Sequence, residues 1–140
     1  MPRISRFLFA DWQKTIALEP FAQNGTDASC GATLRNADGT EHKRTIHLSD
    51  TRLLVEDQLR GFARSAVLRW RLCPGDWQIE ARRVHCARYS LELDANVPIE
   101  DIRLVTGWES RLYLQKTQIP VVEIEIAKPG NLNTLIRLSK

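Results

Sequence analysis

The sequence predicts an all-β protein, a two-layer antiparallel β-sandwich with no substantial helix, and three observations predict it. Apolar and polar residues alternate with a period of two in segment after segment, the spacing that sends successive side chains to opposite faces of a strand. No segment carries the i, i+3, i+4 apolar stripe of a half-buried helix. Clusters of Asn, Asp, Gly and Pro recur about every 8 to 12 residues, the rhythm of a sandwich or barrel.

In chain order, the turn Asn36-Ala37-Asp38-Gly39 precedes the first expected strand, Thr45 to Leu48, and Ser49-Asp50 separates that from a second, Leu53 to Leu59. Strand alternation across residues 41 to 48 puts His42, Arg44 and Ile46 on one face and Lys43, Thr45 and His47 on the other. In the segment 66 to 72, Leu68, Trp70 and Leu72 face the core, while Arg69 and Arg71 project together from the opposite face. The turn Cys73-Pro74-Gly75-Asp76 leads to a short strand, Trp77 to Glu80. Tyr89, Leu91 and Leu93 alternate with Ser90, Glu92 and Asp94, as Val122, Ile124 and Ile126 do with Val121, Glu123 and Glu125, so both segments read as half-buried strands. Pro98 makes the stretch Val97 to Asp101 an edge or a loop. The remaining strand candidates are Ile102 to Val105, Leu112 to Leu114 and Leu132 to Leu138, the last entered from the turn Lys128-Pro129-Gly130-Asn131.

Length and composition set bounds on what this sandwich does. At 140 residues the chain fits one domain, expected to run from 1 to 140, and 43% apolar with 26% charged residues is the balance of a folded protein. Apolar runs are only a few residues long, far from the roughly 20 that a membrane-spanning helix needs, so no membrane partner is expected. Asp11 and Lys14 interrupt the N-terminal apolar stretch, which therefore does not read as an export signal, and localisation stays open. The formal charge is +3, with fifteen Arg against five Lys. Arginine's planar fork suits carboxylate and sulfate groups, but the basic residues are interspersed with acids and form no nucleic-acid-binding block.

Three cysteines, Cys30, Cys73 and Cys86, leave at least one thiol unpaired and read as buried free thiols. No CxxC spacing occurs, and the adjacent His85 and Cys86 would point to opposite faces, so no metal site and no cofactor is expected. The three histidines read as ordinary strand residues, and no nucleophile elbow, P-loop or dinucleotide fingerprint appears. Trp70 reads as core. Trp12, Trp77 and Trp108 flank turns or charges and are either stacking platforms for sugar rings or packing under loops.

One pattern of residues goes further. His42-Lys43-Arg44 followed by Leu54-Val55-Glu56-Asp57-Gln58-Leu59-Arg60-Gly61 is an H-x-R strand followed by a Leu-Val-x-Asp-x-Leu-x-Gly strand and turn. Leu72-Cys73-Pro74-Gly75 then supplies a Leu-x-Pro-Gly turn, and Trp108-Glu109-Ser110-Arg111-Leu112-Tyr113 supplies a Trp-x-Ser-x-x-Tyr segment before a Pro120-Val121 strand. In order and spacing this resembles the heparinase II/III-like polysaccharide lyases over roughly residues 28 to 138. The resemblance is to the family's C-terminal β-sandwich alone; the catalytic α/α toroid that precedes it in such enzymes has no counterpart in these residues. It implies a domain of a larger lyase, inactive by itself, that packs against a toroid encoded upstream and forms one wall of a groove for an acidic polysaccharide. Lyases of this kind are often periplasmic. Near Ala28 to Thr33, where similar enzymes often carry His and Tyr, this chain has Cys30 and Ala32. The matching positions His42 and Arg44, with Arg69, Arg71 and Trp108 from the residue pattern, are the expected substrate-binding residues, and no catalytic residue is expected. A stand-alone carbohydrate-binding module, recognised by a ring of exposed aromatics on one sheet face, is the alternative; a complete small enzyme would need titratable groups converging in a pocket.

Overall fold

A computed structural model describes residues 12 to 138. Its eleven strands are β1 (Lys14–Asn24), β2 (Asp27–Arg35), β3 (Glu41–Leu48), β4 (Arg52–Arg60), β5 (Ala66–Arg71), β6 (Gln78–Glu80), β7 (Arg83–His85), β8 (Tyr89–Ala95), β9 (Ile99–Glu109), β10 (Thr117–Ile126) and β11 (Gly130–Leu138). The described residues contain no helix, so the all-β expectation holds.

All pairings are antiparallel and build two layers, an eight-stranded sheet in the order β1-β2-β3-β4-β11-β8-β7-β6 and a three-stranded sheet in the order β5-β10-β9. Val122, Ile124 and Ile126 of the central strand β10, all at 0% exposure, point into the gap between the layers. They meet Leu91 and Leu93 of β8, Val84 of β7 and Leu132 of β11, with Leu68 beside them on β5. The alternation legible in those segments is therefore the inward and outward alternation of a sandwich, and burying these aliphatic side chains supplies its main stabilisation, about 1.5 to 3 kcal/mol for each. Pro120 lies in β10 opposite Leu72, just past the end of β5; its carbonyl accepts from the Leu72 N–H at 2.9 Å, and its missing N–H ends the ladder to β5 there.

The small sheet does not cover the large one. Trp70 of β5 donates from Nε1 to Thr134 Oγ1 of β11 at 3.2 Å, while β9 runs against β6. β1, β2 and β3 therefore extend past β5, and β5 forms the riser of a step between the layers. Every residue of β1 is exposed, including Ile16, Leu18 and Phe21. Pro20 and two register shifts, between Thr15 and Ala17 and between Glu19 and Ala22, blunt this free edge.

The structure changes several local expectations. Leu112 to Leu114 is not a strand: β9 and β10 form one hairpin whose pairing ends at Glu109 opposite Thr117, so these residues must reverse the chain. Tyr113 and Leu114 there are 91% and 88% exposed. β1, β2 and β7 were not marked by the sequence pattern; β1 buries neither face, so alternation places no demand on it. The cysteines are free, but Cys73 is exposed and Cys30 and Cys86 are only partly covered, because they sit in a loop or on the overhanging wing rather than between the layers.

Candidate functional site

The foot of the step holds the most constrained polar group in the described residues. Strand register sets Leu53, Val55, Asp57 and Leu59 of β4 toward the small sheet, so an acid occupies a position in an otherwise aliphatic row. Asp57 is 1% exposed, and directly across from it in β3 stands Arg44. The Arg44 guanidinium grips the carboxylate from two sides, Nε to Oδ1 at 2.7 Å and Nη2 to Oδ2 at 3.0 Å. His42, two residues away on the same face, places Nε2 at 2.5 Å from Oδ1.

Burial by itself would raise the Asp57 pKa, but the hydrogen bonds from His42 and Arg44, with their charges, outweigh it and hold the carboxyl below its ordinary value. Asp57 is thus ionised at neutral pH and only accepts. Nε2 of His42 must then carry the proton in this contact. The Arg44 guanidinium also lies over the Trp70 ring, 5.0 Å from its centroid. Riser and tread are joined through this stack. About a third of the His42 and Arg44 side chains remains open to solvent, and Arg44 Nη1 has no partner among the described residues. The arrangement offers an anion a fixed guanidinium edge and an imidazole, both oriented by a buried carboxylate.

The other expected binding residues lie elsewhere. Arg69 and Arg71 project from the outer face of the small sheet, which looks the same way as the uncovered tread, about one layer thickness of ~10 Å above it. Arg69 donates from Nε to Glu123 Oε1 at 2.7 Å, directly across the β5/β10 pairing. Glu123 also accepts from Arg103 Nε at 2.9 Å, and Arg103 reaches Asp101 at 2.6 Å. The bonds from Arg69 and Arg103 hold the Glu123 carboxyl below its usual pKa. Arg71 donates from Nη2 to the carbonyl of Trp108 at 2.7 Å. Trp108 is 46% exposed, with Lys116 Nζ 4.2 Å from its ring centroid.

His42 and Arg44 are brought together through Asp57, and Arg71 and Trp108 through one hydrogen bond, while Arg69 belongs to a cross-strand ion-pair network. Asp57, Trp70 and Thr134 complete the step and were not named as site residues from the pattern. The signal for Asp57 was its place among inward-facing aliphatics. Trp77 is no open platform: its Nε1 donates to the Cys73 carbonyl at 2.9 Å and its ring stacks on Tyr89 at 6.5 Å. Among the described residues no group of three or more His, Cys, Asp or Glu is placed to hold a metal ion.

No protein-family model and no curated protein matches the sequence. Solved structures do match in fold. A heparinase III gene product superposes with a TM-score of 0.74 at 16% identity, over 91% of this chain and 22% of that one. The heparan sulfate lyase HepC from Pedobacter heparinus gives 0.75 at 15% identity, over 89% of this chain and 22% of that one. A further heparinase III structure gives 0.70 at 17% identity, over 90% of this chain and 21% of that one. The chain thus spans about a fifth of the length of the lyases whose fold it shares.

Proposed function

We propose that this chain is the β-sandwich part of a larger polysaccharide lyase, inactive alone, whose stepped face forms one wall of a groove for an acidic polysaccharide. The observation that carries this reading is the fold match that takes in nine-tenths of this chain and about a fifth of each lyase chain. The site supports it in kind. A uronate elimination needs a neutralised carboxylate, a base and an acid around one sugar ring; the step supplies a guanidinium held by Asp57 for the first, with one imidazole, His42, beside it toward the other two, and the toroid supplies the remainder in this reading. His42 and Arg44 at the foot and Arg71 with Trp108 above face the groove in this reading, and an α/α toroid from the same polypeptide supplies the opposite wall. The alternative, a stand-alone carbohydrate-binding module, is less well supported, because the exposed Trp12 precedes β1 while Trp108 lies in β9, and Trp77 is packed against the core.

Two measurements test this. Incubated alone with heparin, heparan sulfate, alginate or hyaluronan, the protein gives no rise in absorbance from unsaturated uronic products; turnover that disappears in His42→Ala overturns the reading. Titration with uronic or sulfated oligosaccharides gives amide shifts at His42, Arg44 and the strand carrying Arg71, and these fade as salt rises because the contacts are surface-screened. Arg44→Ala removes the shifts at the foot. Since Arg69 is already committed to Glu123, Arg69→Ala weakens binding less than Arg71→Ala; the reverse order places the contact on the ion-pair network instead.

A further inference from the structure

The face of the large sheet opposite His42 and Arg44 carries a concavity of about 430 Å³. Strand alternation that sends His42, Arg44 and Ile46 to the step sends His47 to this side, in one cross-strand row with Ser29, Leu54 and Leu135. The floor is aliphatic, made by Leu54 and Leu135, and the bent end of β1 beyond its second register shift walls one side. The rim is polar. His47 there is oriented by Glu56, Nε2 to Oε2 at 3.0 Å, and Ser29 presents a hydroxyl. Arg52 is exposed, lines the same cavity, and its guanidinium has no partner among the described residues. Asp27 stands in the rim as well, at the turn between β1 and β2.

An aliphatic floor under a few convergent polar groups, in a volume within the ordinary range of about 300 to 1,000 Å³, is the form of a small-molecule site. The unpaired guanidinium selects a carboxylate, and Asp27 in the rim with Glu56 beside His47 disfavours a second negative charge on the ligand. The hydroxyl, imidazole and carboxylate of the rim suit a ligand rich in hydroxyl groups, whose C–H face rests on Leu54 and Leu135. We propose that this cavity binds a small hydroxylated monocarboxylate, held by Arg52 through its carboxylate and by Ser29 and His47 through its hydroxyls. The site is independent of the groove reading, since it lies on the other face of the sheet.

The test is a titration of the full chain with D-glucuronate, followed by amide chemical shifts, with D-glucose as the uncharged comparison. Saturable shifts are expected at Ser29, His47, Leu54 and Leu135 with glucuronate and not with glucose. Arg52→Ala, at an exposed position that leaves the circular dichroism unchanged, lowers the affinity about tenfold or more. Ser29→Leu fills the cavity and removes the shifts. Equal shifts with glucose, unaltered affinity in Arg52→Ala, or glucuronate shifts confined to His42 and Arg44 each overturn the proposal; the last of these leaves the groove reading standing.

Discussion

Asp57→Ala lowers the free energy of unfolding by about 3 kcal/mol in urea denaturation at pH 7. The carboxylate has 0% side-chain exposure and is the common acceptor for His42 and Arg44, so its removal leaves both without their protein acceptor, the guanidinium still stacked on Trp70. Breaking a buried pair costs about 3 to 5 kcal/mol, and the low end applies because both partners keep a solvent-facing third through which water can reach them. The effect depends on pH in a defined direction. A carboxyl held below its unfolded value of about 3.9 contributes stability that is fully present above that value and is lost as pH falls through the folded pKa. The gap between the parent and Asp57→Asn therefore closes on the acid side of about pH 4. A gap below 1 kcal/mol at pH 7, or one that persists unchanged to pH 2, means that the cluster is not a stabilised ion pair.

Ile124→Ala costs more, about 4 kcal/mol, measured the same way. Ile124 sits at 0% exposure near the C-terminal end of β10, the central strand of the small sheet, facing Leu68 of β5 on one side and Ile102 of β9 on the other. Truncation there removes three carbons from contact with both layers, and a paired backbone on each side cannot collapse into the space. Leu138→Ala provides the contrast: with Leu138 at 64% exposure, its change stays within about 0.5 kcal/mol. A loss under about 1.5 kcal/mol at Ile124 indicates that the two sheets do not share one close-packed core.

The stability of the two sites differs in origin, and so does their legibility. Ile124 and Ile126 of β10 and Leu93 of β8 alternate with charged neighbours because those parts of the strands are covered mainly on one face, and period two is the imprint of that half-burial; earlier in β10, Ile119 and Val121 are buried on the other face as well, and there the alternation does not mark the inward set. The same rule separated His42 and Arg44 from His47, and Leu68 and Leu72 from Arg69 and Arg71, as the structure has them. It fails for β1, which is exposed throughout and so carries no imprint, and for Leu112 to Leu114, whose apolar character in a chain reversal looks locally like a strand.

The sequence by itself determined the fold class, the inward set of each covered strand and the pairing of His42 with Arg44 on one face, because these follow from side-chain alternation within about eight residues. Only the tertiary structure decided what these residues meet. That Asp57 faces Arg44 is a matter of β3/β4 register, and that Trp70 stacks on the same guanidinium is a matter of where the small sheet ends over the large one. The tie between Arg69 and Glu123 joins residues 54 positions apart, and the cavity beside Arg52 joins β1, β2, β3, β4 and β11. Register and layer offset arise from the summed packing of all strands, and no single segment encodes them.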